Sequence, residues 1–475
     1  MAPGDTARLY HRLSSYGPVK DWPPTPARHE LVLQDFESND MARWPPQVKT
    51  YAEGLSVVEL PREWPVPDVP ATAVLAAGPP AIELTLASLA RLLFLSAGVV
   101  RTSPNRQKRT VLLRAAGSAG GRFPMELYVS ARGLPGVPDG VHWYDPVGHV
   151  LRQVGPPAGG EATTLIVTGI PWRTGWRYVE RGFRHIYWDS GTMLAQTLAL
   201  YPGRLFTRFP DAQVTRLVGA DGVQEFPVAL VALQPGAPAI QPGGEAVAGT
   251  IDPGEIEFPL ITAAQRAGDG DTLGEPWPPA PAVDAPPSRD LDAVILQRGS
   301  TRLMDATATL PRDAYLFSLA AAMRGIDVPH FIAVHGVEGV EPGLYRWPDL
   351  DTPLRRGNLR HELLVTCWDQ DLGRDAAYVV MGAIDLSTLD DRGYRAAQLA
   401  AGIVEGRLHL AAYALGHGAS GMTFLDSEIE PLLGEPLAGL LFTCVGVPTY
   451  RNTAGGRPGE PVSVSNITAG ETPTS

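Results

Sequence analysis

Apolar residues recur at three- and four-residue steps between Tyr394 and Leu415: Leu399, Ile403, Val404, Leu408, Ala411 and Leu415. That spacing lines one face of a helix, about 33 Å long at 1.5 Å per residue. Elsewhere the apolar positions form short runs, Phe226-Pro-Val-Ala-Leu-Val-Ala-Leu233 and Leu440-Leu-Phe-Thr-Cys-Val445. Such runs predict buried strands. Each follows an acidic turn, Asp211 to Gly219 or Asp426 to Gly434, and each turn follows a long helical pattern. A further helix is predicted from Pro311 to Met323. The fold class is α+β.

The succession occurs twice. Arg181-Gly-Phe-Arg184 returns as Arg392-Gly-Tyr-Arg395, and Gly191 returns in the same register as Gly402. Upstream, Pro124-Met-Glu-Leu-Tyr-Val129 followed by Gly140-Val-His-Trp143 resembles Pro329-His-Phe-Ile-Ala-Val334 followed by Gly343-Leu-Tyr-Arg346. A repeat of this length organises the whole chain. It divides into an N-terminal extension (1–70), a first half (71–233), a Pro/Gly-rich linker (234–290), a second half (291–458) and a tail (459–475). Gln234-Pro-Gly-Ala-Pro and Trp277-Pro-Pro-Ala-Pro suggest a stiff, partly extended linker, and the tail reads as disordered.

Composition narrows the function classes. The chain has 475 residues, 51 glycines and 46 prolines, yet is 44% hydrophobic with 10 Trp, which fits a folded protein with long loops. Net charge is −12 without a basic run, which argues against nucleic acid. The apolar stretch Ala71–Val100 is interrupted by Pro79, Pro80, Glu83 and Arg91, so no membrane span is expected. Two cysteines, Cys367 and Cys444, match neither a disulfide framework nor a metal site, and the setting expected is cytoplasmic. Only Lys20, Lys49 and Lys108 are lysines; the other 36 cations are Arg.

No His-Glu-x-x-His, Walker or Gly-x-Ser-x-Gly motif occurs. Gly416-His-Gly-Ala-Ser-Gly421 has dinucleotide-loop spacing, but it follows a helix and precedes the strand-like Met422-Thr-Phe-Leu, the reverse of the required context. It reads as a helix C-terminal turn with left-handed glycines or as a cofactor contact. Arg298-Gly-Ser-Thr-Arg302 sets two guanidinium forks about a hydroxyl, a set suited to phosphate and also compatible with a solvated Arg pair. Gly117-Ser-Ala-Gly-Gly-Arg-Phe-Pro124 is a small-residue loop whose backbone N–H groups could approach a flat ring or an anion. His330, His335, His409 and His417 lack metal spacing.

In this order the pieces resemble the nitroreductase-like flavoproteins, and within them the SagB-type dehydrogenases that oxidise azolines in thiazole/oxazole-modified peptide pathways. Tyr10-His-Arg-Leu-Ser-Ser-Tyr16 is similar to that subfamily's opening, Ser118 to Pro124 to its Ser-x-Gly-x-x-x-Pro loop, Gly140 to Asp145 to its Gly-x-x-x-Tyr-Asp turn, and Arg298 to Arg302 to its Arg-Arg-Ser-x-Arg motif. The resemblance implies two nitroreductase-like halves forming an intrachain pseudo-dimer with one FMN. Arg298, Ser300, Arg302, Gly418, Gly421 and Gly446 of half two and Ser118, Gly120 and Gly121 of half one would hold it. The reciprocal site is expected to be dead: half one has Ala71-Thr-Ala-Val-Leu-Ala-Ala near where an Arg motif would be, and half two lacks the small-residue loop.

The subfamily's catalytic Lys-Tyr pair falls on Arg177-Tyr178, with Thr388-Leu389 in half two. Arg stays charged, so it acts only electrostatically; Tyr178 is the candidate proton acceptor, with Arg177 favouring its phenolate. The resemblance implies oxidation of azolines to azoles on a modified precursor peptide, with a cyclodehydratase partner. Two alternatives stand beside it: an NAD(P)H-dependent nitroreductase-like enzyme, and a non-catalytic scaffold binding a peptide or partner.

Overall fold

The computed structural model describes residues 2–17, 43–104, 109–251 and 256–465. Its strands are β1 (Val57–Glu59), β2 (Val99–Pro104), β3 (Thr110–Arg114), β4 (Met125–Ala131), β5 (Gly140–Asp145), β6 (Val150–Gly155), β7 (Thr164–Gly169), β8 (Arg204–Phe206), β9 (Phe226–Ala232), β10 (His330–Val334), β11 (Gly343–Arg346), β12 (Arg355–Arg356), β13 (Tyr378–Ile384), β14 (Gly418–Met422), β15 (Ala438–Gly446) and β16 (Val462–Ser463). One sheet runs β1-β6-β5-β4-β7-β9-β8, and a second runs β12-β11-β10-β13-β15-β14. Once the added edge strand β1 is set aside, the two orders match strand for strand. All pairings in both sheets are antiparallel. Strands β4, β7, β9 and β10 are buried at every position. Both faces are covered, and unbroken apolar runs result instead of alternation.

Between the sheets lie the two long helices, Gly182–Leu200 and Asp391–Ala414. The second begins earlier than its apolar stripe because Asp390 caps it, accepting from the Gly393 N–H. The first is buried at every position but Leu198, so it shows no stripe. The helices cross at the repeated glycines: a Cβ on Gly191 would strike the Leu399 carbonyl and the Ile403 nitrogen, and one on Gly402 would strike the Trp188 carbonyl. Backbone meets backbone there, which only glycine permits.

The repeated Arg-Gly-aromatic-Arg segments open these helices, and each grips the other half. Arg181 and Arg184 hold Asp426 at 2.5 and 2.7 Å. Arg392 and Arg395 hold Asp211, the latter pair at 3.0 Å. Asp211 and Asp426 begin the predicted acidic turns, which are short helices here (Asp211–Leu217, and Ile429–Leu433 after a 3-10 turn), so their role is to close the interface. This is the self-complementary contact of a two-fold dimer, and the molecule is an α+β intrachain pseudo-dimer.

Several expectations are corrected. The partly extended linker also carries an unexpected helix, Pro259–Ala267, which buries Leu260, Ile261 and Ala264 in the main core. The N-terminal extension supplies helix Asp5–Leu13, whose start the Asp391 carboxylate caps by accepting from the Gly4 and Ala7 N–H groups. The tail is ordered as far as residue 465, because β16 pairs in parallel with β2 to complete a small β16-β2-β3 sheet; residues 466–475 lie outside the described residues. The glycines from 418 to 421 lie in strand β14 itself, and among Gly416, Gly418 and Gly421 only Gly416 has a left-handed φ, +83°. Among the described residues no helix is long and apolar enough to cross a membrane.

Burial acts to raise the Asp426 pKa, but Arg181 and Arg184 outweigh it and hold the carboxyl far below its ordinary 3.8. A carboxyl depressed in this way stabilises the fold above its unfolded pKa and loses that contribution as pH falls through the acid range. Asp426→Ala leaves two buried guanidiniums uncompensated. It should lower unfolding free energy by about 3–5 kcal/mol, measured by urea denaturation at pH 7, with the gap from the unaltered chain narrowing below pH 4.

Candidate functional site

The first-half loop 115–123 joins β3 to β4. Gly120 and Gly121 take φ of +59° and +64°, and Phe123, at +47°, closes the loop in a conformation unusual for a side-chain-bearing residue. Two hydrogen bonds of the Ser118 hydroxyl shape it: the hydroxyl donates to Asp189 at 2.5 Å and accepts from the Phe123 N–H at 2.8 Å. Asp189 also accepts from the Ala119 N–H at 3.0 Å.

Arg298 reaches this loop from the second half. It follows helix Leu291–Gln297, and Arg101 of β2 secures that helix end by donating to the carbonyls of Leu296 (2.5 Å) and Arg298 (3.1 Å). The Arg298 side chain is buried and donates to the Ala115 carbonyl at 2.6 Å, and its Nη1 would lie 3.4 Å from a Cβ on Gly117. Its Nε and Nη1 are buried and meet no acceptor among the described residues. Unpaired buried guanidinium donors favour an anion. Ser300 is half-buried, and Arg302 is exposed, its backbone N–H donating to the Tyr450 hydroxyl at 2.8 Å.

The remaining glycines surround this motif. The Thr301 N–H donates to the Ala419 carbonyl at 2.9 Å, and Gly418 lies directly under the Thr301 side chain. Gly421 faces Glu405, and a Cβ on Gly446 would come within 2.9 Å of the Met304 sulfur. At these three positions the missing side chain makes room for neighbouring protein. Gly121 faces Leu113 and Val111.

Arg177 and Tyr178 end helix Pro171–Tyr178 on the other side of the loop. A Cβ on Gly120 would lie 2.9 Å from the Tyr178 hydroxyl. The Tyr178 ring stacks on His185 with centroids 3.9 Å apart and planes within 13°. Val179 follows at φ 47°, ψ −133°, a strained conformation for a β-branched residue. Burial raises the Tyr178 pKa, and Asp189 adds to the rise, more than Arg177 and Arg122 lower it. The expected phenolate is thereby corrected: Tyr178 is a neutral phenol, because desolvation outweighs one exposed Arg177. Burial also drives His185 down to about 3, so its imidazole is neutral and its Nδ1–H donates to the Arg181 carbonyl at 3.1 Å.

At the reciprocal position, helix Ala71–Ala77 matches Leu291–Gln297; Ala71 N–H donates to the Arg289 carbonyl, and Pro70 pairs with Asp290. Gly78-Pro79-Pro80 stands where Arg298 to Ser300 stand in half two. The linker crosses this place: Trp277 binds the carbonyls of Leu205 in β8 and Gly325 before β10, and Val283 binds that of Ala76. The predicted Pro-rich linker thus lies against β8, the counterpart of β14, and against helix Ala71–Ala77, the counterpart of the helix before the Arg motif. The Thr388-Leu389 position is covered by the N-terminus, where Gly4 abuts the Leu389 carbonyl.

Sequence reasoning missed Asp189, His185, Thr192 and Glu405. Thr192 donates to Glu405 across the helix crossing at 2.8 Å, and Glu405 lies 3.5 Å from buried His409. The available signal was Asp189 itself, the sole acid in an otherwise buried helix.

No family model matches the sequence. A protein of Methanocaldococcus jannaschii named as a nitroreductase is 32% identical over 123 residues, 23% of this chain, and the chain spans 58% of that relative's length. A crystal structure titled as a nitroreductase of Anabaena variabilis superimposes with a TM-score of 0.70 at 25% identity, covering 93% of this chain and 99% of that one. Another so titled, from Ralstonia eutropha, covers 39% of this chain and 91% of its own at 19% identity and TM-score 0.29. The match to the Anabaena structure extends over both halves. The chain has the nitroreductase fold.

Gly133 and Gly120 share φ +59°, but nothing lies within 4 Å of a Cβ on Gly133. Gly133→Ala should therefore show backbone strain alone, about 1–2 kcal/mol by urea denaturation. Gly120→Ala should lose more, because its methyl displaces the Tyr178 hydroxyl; equal losses would take Tyr178 away from the loop.

Proposed function

We propose that the chain is an FMN-dependent oxidoreductase with a single site, and that it oxidises azoline rings to azoles on a modified precursor peptide. The observation that carries this reading is Arg298 of the second half, which crosses to the first-half loop with two buried donors unpaired while Tyr178 stands at the loop's other end. The donor set fits a flavin phosphate: Arg302 and Ser300 at the rim, Arg298 within, and the Ser118–Gly121 backbone as a side-chain-poor wall. When bound, FMN supplies hydride acceptance. The matched sheet orders and the repeated Arg-Gly-aromatic-Arg support a tandem duplication in which one of two sites was kept. The azoline substrate and the cyclodehydratase partner rest on the motif resemblance.

A second reading has its own support. A phenol held neutral is suited to give a proton, as reduction of a nitro or quinone compound by reduced nicotinamide requires; azoline oxidation needs a base. Tyr178 can serve the oxidation only if it loses its proton in the loaded site, or if it orients the ring while another group takes the proton.

Purified protein should carry about one FMN per chain by visible absorbance and released flavin. Two per chain would sink the single-site reading, and none after FMN addition would favour a peptide-binding scaffold. Arg302→Ala, on an exposed side chain, should weaken FMN binding roughly tenfold without unfolding the protein. Tyr178→Phe should keep its flavin and lower turnover by about 10²-fold. Turnover of an azoline peptide without nicotinamide, against rapid flavin reduction by NAD(P)H with no azole formed, decides between the two chemistries.

A further inference from the structure

We infer that Asp189 is the positioning residue that latches the small-residue loop to the central helix and holds it in the shape that receives the flavin. The inference rests on the flavin reading for what the loop binds, and on geometry alone for the latch.

Asp189 is 4% exposed and lies in the middle of helix Gly182–Leu200, one turn after His185. Both carboxyl oxygens go to the loop, Oδ2 to Ser118 Oγ at 2.5 Å and Oδ1 to the Ala119 N–H at 3.0 Å. Ser118 in turn receives the Phe123 N–H, so one carboxyl sets both ends of the turn that carries Gly120 and Gly121. The helix bearing Asp189 crosses helix Asp391–Ala414 at Gly191, two residues on. Loop shape is therefore tied to how the halves dock.

The groups facing Asp189 give it a pH response. Ser118 and Ala119 face it from the loop, Glu405 from helix Asp391–Ala414 and Tyr178 from the preceding helix. Burial raises the carboxyl to about 8; the bonds from Ser118 and Ala119 oppose the rise, and Glu405 adds to it. Protonation reverses one bond: the ionised carboxyl accepts from the Ser118 hydroxyl, whereas the protonated carboxyl donates from Oδ2 to the Ser118 oxygen and still accepts the Ala119 N–H on Oδ1. Asparagine reproduces that arrangement and cannot ionise. A carboxyl with a raised folded pKa binds more protons folded than unfolded, so its contribution to stability falls as pH rises from about 4 to about 8.

The test compares Asp189→Asn and Asp189→Ala in the full chain by hydrogen exchange of the 117–123 amides, by melting temperature from pH 5 to 9, and by FMN titration. Asp189→Ala should raise loop exchange tenfold or more while β4 stays protected, and should weaken FMN at least tenfold. Asp189→Asn should restore both to within about threefold at pH 6 and flatten the decline in melting temperature between pH 5 and 8. Unchanged loop exchange in Asp189→Ala overturns the latch, and so does a decline in Asp189→Asn as steep as in the unaltered chain. Raised exchange in Asp189→Ala, in a protein that binds no FMN in any form, supports the latch and sinks the flavin reading instead.

Discussion

The reciprocal grip of one carboxylate by two arginines from the opposite half is the constraint on which the rest of the molecule depends. A buried charge must be paired, so Asp426 cannot be satisfied without Arg181 and Arg184, nor Asp211 without Arg392 and Arg395. Each clamp crosses the interface in the opposite sense. Together they fix the two long helices in rotation, while Gly191 and Gly402 fix their separation by letting backbone touch backbone. Across the seam so fixed, Arg298 donates to the Ala115 carbonyl.

The frame is symmetric, but what hangs on it is not. Half one has a β2-β3 hairpin and a glycine loop where half two passes from helix Arg312–Ala322 directly towards β10; half two has an Arg motif where half one has Gly78-Pro79-Pro80. In a homodimer, every residue that improves one site appears in the other. Joining the halves in one chain removes that restriction and keeps the partner at high effective concentration. The linker crosses the reciprocal position, with Trp277 tied to β8 and to Gly325.

Much of this was legible from residue pattern. The Arg-Gly-aromatic-Arg repeat and Gly191/Gly402 stood out because the same physical demand, a tight crossing between charge clamps, acts twice. The strand runs were readable because burial on both faces leaves no polar position. The linker was misread because proline and glycine content reports local stiffness and says nothing about a groove waiting in the tertiary structure; helix Pro259–Ala267 has little to mark it beyond Pro259 at its start. The short helices after Asp211 and Asp426 were read as turns because their carboxylates answer partners about two hundred residues away. Tyr178 was placed by resemblance, yet its protonation depended on desolvation, which no linear pattern carries.

That last point bears on chemistry. Tyr178, His185 and Asp189 line one side of the loop, and burial drives all three towards their uncharged forms. Arg298 and Glu405 keep their charges in the seam, with Arg122 and Arg177 beside Tyr178, and Glu405 is already met by the Thr192 hydroxyl. Arg298 is left with two donors that face no acceptor among the described residues. A seam composed in this way stabilises added negative charge and supplies protons from neutral groups, an arrangement suited to a site that takes up hydride and must accommodate the electron density that comes with it. Arg177 fits the same logic: a fixed cation at the rim keeps the field positive, while His185 and Asp189 sit deeper, on the helix that the clamps hold in place.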